Sequence, residues 1–166
     1  MSKIVVVSDN HGLTKELEEI YHRHKHETEV FLHCGDSEMD ENHPILKPFK
    51  TVNGNSDDYA FPHEYIIDVD DKRILLIHGH FHSVKYDLHP LHHYAKLRGA
   101  DIVFFGHTHY PSVDMIDGIL FVNPGSILAN RGTRGRSYCV VDINGKEVEV
   151  THLDVMTGNL YPVPSE

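Results

Sequence analysis

Short apolar runs alternate with polar or glycine-rich turns along the whole chain, and this pattern predicts a protein rich in β-strands. Limited length and a high content of Val, Ile and Phe favour strands over helices in these runs. The predicted strands are Lys3–Ser8, Glu29–His33, Lys50–Asn53, Glu64–Val69, Arg73–His78, Asp101–Gly106, Ser112–Ile116, Ile119–Asn123, Ser137–Ile143 and Glu147–Asp154. Helical patterns cover Thr14–Lys25 and His89–Arg98, and the second stops at Gly99, as suits a helix C-terminus.

The order of these elements predicts an α/β fold. Strands and helices alternate in the first half, whereas the second half consists mainly of strands joined by hairpins. The pairs Asp70-Asp71, Asp117-Gly118 and Asn144-Gly145 mark the expected hairpin turns. Such a mixture indicates two packed sheets with helices outside them. The length of 166 residues, without a repeat or linker, predicts one domain over residues 1–166.

Composition narrows the possible partners. A formal net charge of −10 argues against a long nucleic-acid duplex or an anionic membrane surface, both of which require clustered Lys and Arg. The apolar run Ile4 to Val7 is too short for a signal peptide, and no stretch approaches the ~18 apolar residues of a membrane span. We therefore expect a cytoplasmic protein whose Cys34 and Cys139 are reduced thiols. A homodimer is the commonest default for a soluble protein.

Sixteen histidines are the unusual feature of the composition. Histidine is the commonest metal ligand, but it is also an ordinary surface residue, so its position must decide its role. His22, His24 and His26 lie at the end of the first predicted helix. Cationic side chains at that end interact favourably with the helix dipole, and we expect all three to be solvated.

A different set of polar residues follows the ends of predicted strands. Open α/β sheets bind ligands beyond the carboxyl ends of their strands, so parallel strands would bring these residues to one edge. The set comprises Asp9, His11, Asp36, Asn55, His78, His107 and His109. Seven ligands are too many for one ion but suffice for two if one carboxylate bridges them. Their oxygen and nitrogen donors suit borderline-hard ions such as Mn²⁺, Fe²⁺ or Zn²⁺ better than a thiolate zinc site. We expect two divalent ions, with Mn²⁺ as the first choice and Fe²⁺, Ni²⁺ or Zn²⁺ as alternatives.

The ordered series of motifs resembles the calcineurin-like metallophosphoesterases, and within them the small bacterial and archaeal single-domain phosphodiesterases. The motifs are Asp9-x-His11, Gly35-Asp36, Gly54-Asn55-x-Asp57, His78-Gly79-His80 and Gly106-His107-x-His109, followed by Asn123-Pro124-Gly125-Ser126 and Arg131-Gly132. This resemblance implies a four-layer αββα sandwich of two mixed β-sheets flanked by helices. It also implies a dinuclear site that hydrolyses phosphomonoesters or phosphodiesters.

The same resemblance assigns roles to individual residues. One ion would be held by Asp9, His11 and His109, the second by Asn55, His78 and His107, and Asp36 would bridge the two. A water shared by two cations is acidified towards a pKa of ~7, so a bridging hydroxide would attack the phosphorus.

The general acid is left open, because Ser56 stands where larger relatives have a histidine. Asp57 and His80 are the candidates for orientation or proton transfer, which makes Asp36, Asn55, Asp57 and His80 the predicted catalytic set. A buried structural hydrogen-bonder is the alternative role for Asp57. Arg131 is a candidate contact to a substrate phosphate.

Two other functions compete with phosphodiester hydrolysis. A retromer subunit resembles this fold and serves chiefly in protein docking, so a catalytically silent interaction scaffold is one alternative. A nuclease acting on short nucleic acids with the same metal pair is the other. Competent residues at all seven ligand positions favour the enzyme. No long insertion could form a cap, so we expect a shallow, open site for a small phosphate ester. The natural ester remains open.

Overall fold

The computed structural model describes residues 1–58, 61–128 and 136–163, which contain ten β-strands and two α-helices. The strands are β1 (Ser2–Val7), β2 (Phe31–His33), β3 (Phe49–Thr51), β4 (Glu64–Val69), β5 (Lys72–Ile77), β6 (Ile102–Phe104), β7 (Ser112–Ile116), β8 (Ile119–Asn123), β9 (Ser137–Asn144) and β10 (Glu147–Asp154). The helices are α1 (Thr14–His24) and α2 (His89–Arg98), and short 3₁₀ helices form at Pro44–Leu46 and His80–His82. Every predicted element is confirmed, with ends that shift by at most two residues.

The strands form two five-stranded mixed sheets. The first has the order β10-β9-β1-β2-β3, and the second has the order β4-β5-β6-β8-β7. Strands β1, β2 and β3 are parallel to one another, as are β5, β6 and β8, whereas the three predicted hairpins pair antiparallel strands. Parallel neighbours bring their carboxyl ends to the same edge of each sheet, which is where the motif residues follow.

Three hydrophobic clusters separate the four layers of the fold. Strand β1 shows the principle, because Ile4 and Val6 point into the cluster between the sheets, whereas Val5 and Val7 point towards α1. A third cluster packs α2 against the outer face of the second sheet. Strands buried on both faces explain why the apolar runs are continuous and do not alternate. The predicted αββα sandwich is confirmed.

Each helix is held by a small apolar face. Leu17 and Ile20 of α1 are fully buried against the first sheet, and Leu91 and Ala95 of α2 are fully buried against the second. Gly99 ends α2 in the left-handed conformation, at φ 71°, as its position predicted. Within the described ranges, no helix is long and apolar enough to span a membrane. Cys34 and Cys139 are buried free thiols, as predicted.

The prediction that His24 is solvated was wrong. Its side chain is only 6% exposed, whereas His22 and His26 are exposed as expected. His24 Nδ1 lies 2.8 Å from a Glu27 carboxylate oxygen, and the hydroxyl of Tyr138 lies 2.7 Å from His24 Nε2. Arg23 donates to the same hydroxyl at 3.1 Å. This network fastens the end of α1 to β9.

Replacement of Tyr138 by Phe tests this network. The change removes one hydroxyl and leaves the buried His24 Nε2 and the Arg23 guanidinium each short of a partner, so we expect a loss of about 1–3 kcal/mol in the free energy of unfolding, measured by urea denaturation. Tyr86→Phe is the matched control, because Tyr86 is 88% exposed, and its change should stay within about 0.5 kcal/mol. Equal stability of the two variants would contradict the role of the network.

Candidate metal centre

All seven side chains of the predicted ligand set meet at one edge of the sandwich. Two groups of potential ligands form, and within each group the ligand atoms lie within 4.8 Å of one another. The groups are Asp9, His11 and His109, and Asp36, His78 and His107. Asn55 joins the second group, since its Oδ1 lies 3.0 Å from both His78 Nε2 and His107 Nδ1. The residues therefore gather as the resemblance implies, except that Asp36, the expected bridge, lies with the second group; their binding of metal stays a prediction.

The two carboxylates lie where the groups adjoin. Asp36 Oδ2 lies 3.2 Å from His78 Nε2 and 3.9 Å from His11 Nε2, so a single oxygen faces one imidazole of each group. Asp9 Oδ1 lies 3.4 Å from His109 Nε2 and 3.9 Å from His78 Nε2. Both carboxylates thus face both groups. The shortest distance from a carboxylate oxygen to an imidazole nitrogen is 3.2 Å for Asp36 and 3.4 Å for Asp9.

The donor atoms suit divalent cations. Asp9 is fully buried, and its Oδ2 accepts from the Ser8 hydroxyl at 2.5 Å and from the His107 amide at 3.2 Å. Its Oδ1 is also buried but has no hydrogen-bond partner within the described ranges. An unpaired carboxylate oxygen is costly to bury, and a cation would satisfy it. Ligands about 2.1 Å from one ion lie roughly 3–3.5 Å apart, close to the distances seen here.

Hydrogen bonds orient two of the histidines. His78 Nδ1 donates to the Cys34 carbonyl at 2.8 Å, and His11 Nδ1 donates to a Glu38 carboxylate oxygen at 2.6 Å. Each bond turns the Nε2 lone pair towards the cluster, which is the arrangement typical of metal-binding histidines. Sequence reasoning missed Glu38; its position two residues after Asp36, in the same loop, is the signal that could have found it.

The loops that carry the cluster have an unusual backbone. Five of the seven residues adopt positive φ angles between 43° and 70°, namely Asp9, His11, Asp36, His107 and His109. This conformation is uncommon outside glycine, costs about 1–3 kcal/mol per residue, and concentrates at functional sites. The surrounding fold therefore stabilises a backbone geometry that these loops would not adopt on their own.

Two motif glycines allow the loops to approach one another. A Cβ atom on Gly54 would lie 2.1 Å from Asp36 Oδ1, and one on Gly106 would lie 2.1 Å from the Ser8 hydroxyl and 2.7 Å from Asp9 Oδ2. Any side chain at these positions would displace a carboxylate of the cluster. The glycines before Asn55 and His107 are thus required by close packing.

Asp57 and His80 occupy different surroundings. Asp57 accepts backbone hydrogen bonds from Asp36, Gly54 and Glu38 at 2.8–2.9 Å, so it joins the loop that carries Asp36 to the loop that carries Asn55. The His80 ring lies 5.3 Å from the His78 ring, and burial lowers its pKa. The geometry of Asp57 fits positioning of Asp36; its part in catalysis, like that of His80, stays a prediction.

The Asn123–Ser126 segment forms hydrogen bonds with the loops that carry the cluster. The Asn123 amide donates to the Gly106 carbonyl at 3.2 Å and to the Thr108 hydroxyl at 3.0 Å. The Ser126 hydroxyl donates to the Asp9 carbonyl at 3.0 Å. The Asn-Pro-Gly-Ser motif therefore has a structural role, which is to hold these loops in place. Arg131, the candidate phosphate contact, lies outside the described residues.

Electrostatics couple the carboxylates to His78. Burial raises the pKa of Asp36, but hydrogen bonding and the charge of His78 outweigh it and hold that pKa well below its usual range. Burial likewise lowers the pKa of His78, but Asp9 and Asp36 reverse this effect and raise it. His107 has its pKa lowered to about 4, by burial first and then by the charges of His78 and Lys85. The carboxylates thus favour positive charge at their centre.

His33 is a buried histidine behind the cluster that sequence reasoning passed over. Its Nε2 donates to Asn10 Oδ1 at 2.7 Å, and its Nδ1 accepts from the Gly35 amide at 3.0 Å, so the neutral ring satisfies both neighbours. Burial lowers its pKa to about 4. Its position at the end of β2, inside an apolar run, is the signal that could have marked it as a core residue.

This pKa predicts how stability depends on pH. Because folded His33 binds its proton more weakly than the unfolded chain does, its contribution is complete above pH ~6.5 and is lost as the pH falls towards 4. A shift of this size corresponds to about 3 kcal/mol. Urea denaturation of chelator-treated protein should show a flatter pH dependence between 6.5 and 4 in His33→Gln than in the wild type. His26→Gln, at an exposed position, is the control; identical slopes in all three proteins would refute the assignment.

Comparisons with known proteins agree with this geometry. Residues 2–146 match the model of the calcineurin-like phosphoesterase superfamily domain. The chain is 37% identical over 152 residues to the probable metallophosphoesterase YsnB of Bacillus subtilis, a match that covers 91% of this chain and 90% of YsnB. It is 28% identical over 146 residues to a phosphodiesterase of Methanocaldococcus jannaschii, covering 74% of this chain and 82% of the relative.

Solved structures show the same fold. A Streptococcus pneumoniae protein described as a predicted phosphoesterase superposes with a TM-score of 0.91 at 33% identity, over 97% of this chain and 93% of that one. Zinc-bound Vps29 of Entamoeba histolytica superposes with a TM-score of 0.80 at 21% identity, over 96% of each chain, which is a similarity of fold alone. On the family match and the level of identity to its relatives, the chain belongs to the calcineurin-like phosphoesterase superfamily.

Proposed function

We propose that this protein is a phosphodiesterase that hydrolyses small phosphate esters at a dinuclear metal site. The observation that carries the proposal is the position of Asp36 Oδ2, which faces His78 of one ligand group and His11 of the other at 3.2 and 3.9 Å. A carboxylate shared in this way would keep two cations close together. Similarity to a phosphodiesterase of Methanocaldococcus jannaschii supports the choice of diester substrates.

The donor set favours borderline-hard divalent ions. Asp9, His11 and His109 would hold the first ion, Asn55, His78 and His107 the second, and Asp36 would bridge them. When bound, such a pair of ions acidifies a shared water to a hydroxide and neutralises the phosphoryl oxygens, which are the main requirements of in-line hydrolysis. Mn²⁺ is our first choice, with Fe²⁺, Ni²⁺ and Zn²⁺ as alternatives, because carboxylate, amide and imidazole donors accept all four.

The chain contributes positioning and proton handling. Asp57 joins the Asp36 loop to the Asn55 loop through backbone hydrogen bonds, and Glu38 fixes the ring of His11. These contacts hold the reacting groups in place before substrate arrives, which reduces the entropic part of the barrier. His80 is half-buried beside His78, and its Nδ1 has no hydrogen-bond partner within the described ranges. We assign His80 to hydrogen bonding with the departing oxygen.

A protein-docking scaffold is the rival function from another class. The similarity to Vps29 supports only a shared fold, because identity is 21%. Seven competent side chains within two compact groups, held by strained loops, favour hydrolysis instead, since a scaffold needs neither the donors nor the strain. Measured turnover separates the two functions.

Substitution of the shared carboxylate tests the proposal. Asp36→Asn and His78→Ala should each lower Mn²⁺-dependent cleavage of bis-p-nitrophenyl phosphate by at least about 100-fold, because each weakens the cations that stabilise the transition state. Metal analysis of protein purified without chelator should give two ions per chain for the wild type and fewer for both variants. Circular dichroism should remain that of the wild type.

His93→Ala is the matched control, because His93 is an exposed histidine on α2. Its activity and metal content should equal those of the wild type. Full activity of Asp36→Asn or His78→Ala would reject the ligand assignment. An inactive wild type with Mn²⁺, Fe²⁺, Ni²⁺ and Zn²⁺ each supplied would favour the scaffold.

A further inference from the structure

Two polar side chains are fully buried beside the candidate metal centre. His33 is the last residue of β2, and Asn10 lies between two proposed ligands of the first group, Asp9 and His11. Neither His33 nor Asn10 has any exposed surface. Burial of an imidazole and an amide is unfavourable unless their donors and acceptors are paired. The partners of these two side chains therefore indicate their role.

The Asn10 amide is held at both of its polar atoms. Its Oδ1 lies 2.7 Å from His33 Nε2, and its Nδ2 donates to the Leu13 carbonyl and to Met39 Sδ, each at 3.2 Å. The Asn10 carbonyl accepts from the Leu13 amide at 2.9 Å. Because the ligands of the first group are the immediate neighbours of Asn10, these bonds restrict rotation of the segment that presents them.

The other nitrogen of the His33 ring reaches the second group. His33 Nδ1 accepts from the Gly35 amide at 3.0 Å, and Gly35 directly precedes Asp36. Gly35 also lies against the His78 ring, since a Cβ atom on Gly35 would be 2.9 Å from His78 Nδ1. The Gly35 backbone therefore supports two proposed ligands of the second group, and the His33 ring holds its amide.

These partners determine which nitrogen of His33 carries the hydrogen. A backbone amide can only donate, so Nδ1 must be the unprotonated nitrogen and the hydrogen lies on Nε2. Nε2 then donates to Asn10 Oδ1, which fixes the orientation of the Asn10 amide. One ring thus joins the first ligand group to the second through a donor on one side and an acceptor on the other.

Backbone hydrogen bonds also join the two loops. The Asp9 amide donates to the Gly35 carbonyl, and the His11 amide donates to the Asp36 carbonyl, both at 3.0 Å. These bonds set the spacing of the loops. The three ligands among these residues nevertheless adopt positive φ angles, which residues other than glycine rarely keep unless the surrounding structure holds them. The buried pair supplies side-chain contacts that hold this conformation.

We propose that His33 and Asn10 are a positioning pair that keeps the two ligand groups in a fixed relation, with each nitrogen of His33 supporting the binding of one metal ion. The contact to Asn10 acts on the first group, and the contact to Gly35 acts on the second. In this role neither side chain binds an ion or the ester itself. The inference rests on the proposed function and adds to it a determinant of metal affinity.

Two variants of His33 separate its contacts. In His33→Asn the amide oxygen can accept near the place of Nδ1, but the side chain is too short to reach Asn10. In His33→Gln the amide nitrogen reaches the place of Nε2, but no acceptor remains for Gly35. His33→Asn should weaken Mn²⁺ binding at the first group about tenfold, and His33→Gln should do so at the second, because residues that orient metal ligands contribute about 10–100-fold to affinity.

Isothermal titration calorimetry of chelator-treated protein measures these affinities. Each site is assigned in a background that lacks a ligand of the other group: His109→Ala leaves the second group, and His107→Ala leaves the first. The dissociation constant of the first group should respond to His33→Asn, and that of the second to His33→Gln. The reverse pattern, or unchanged constants in both variants, would overturn the positioning pair.

His24→Gln is the matched control for the loss of a buried histidine. Both ring nitrogens of His24 have partners, but His24 ends α1, about 15 Å along the helix from the loop that carries the first group. The variant should lose stability in urea and keep the wild-type Mn²⁺ dissociation constants. A loss of affinity equal to that of the His33 variants would overturn the inference, because any weakened core would then have the same effect.

A double variant tests whether His33 acts through Asn10. Asn10→Ala should weaken the first ion about tenfold, and the addition of His33→Asn should change that constant by less than about twofold, since both remove the same hydrogen bond. Losses that multiply to about a hundredfold would show independent effects and would overturn the coupling of the pair.

Turnover distinguishes positioning from chemistry. With saturating Mn²⁺, kcat for bis-p-nitrophenyl phosphate in His33→Asn should return to within about twofold of the wild type, because every proposed ligand is unchanged. A kcat that stays low while both dissociation constants equal those of the wild type would overturn the positioning role and leave the hydrolase intact. A wild type that binds none of the four ions would overturn the proposed function itself.

Discussion

The charge of two buried carboxylates is the constraint on which the site depends. Asp9 and Asp36 carry negative charge where burial alone would favour their neutral forms, and His78 reverses that preference. The same carboxylates raise the pKa of His78 against the effect of burial. Such a centre is stable only when positive charge lies between the carboxylates. A proton on His78 can supply that charge, and the proposed pair of divalent cations would supply it more completely.

Keeping like charges this close requires a backbone that is held from several sides. Asp57 accepts hydrogen bonds from backbone amides of two loops. The Asn123 side chain donates to the Gly106 carbonyl of a third loop, and the Ser126 hydroxyl donates to the Asp9 carbonyl. All of these contacts are made to backbone groups, so none of them occupies a proposed ligand atom. The strain of the positive φ angles is offset by the sandwich beneath, where the inner faces of both sheets share one apolar core. The packing that stabilises the fold therefore also maintains the geometry of the site.

The sequence predicted the architecture well because each element has a local signal. Apolar runs located all ten strands, and hairpin turns such as Asp117-Gly118 lie where the predicted pairs placed them. What it could not predict depends on residues far apart in the chain. His24 is buried because Tyr138, 114 positions later, offers its hydroxyl. The orienting role of Glu38 and the glycine contacts of Gly54 and Gly106 likewise arise only when separate loops meet.

A groove beside β7 is built differently from the edge that carries the proposed ligands. The proposed metal ligands come from loops of both sheets, whereas the groove is lined by β7, by the segment before α2 and by the loop that carries His107 and His109. Residues of β7 can therefore change without disturbing the loops that hold the carboxylates, because Asp114 and Ile116 lie on the outer face of an edge strand. Side chains whose charges must balance are thus confined to the crowded edge between the sheets, and the outer face of β7 is a surface that tolerates substitution.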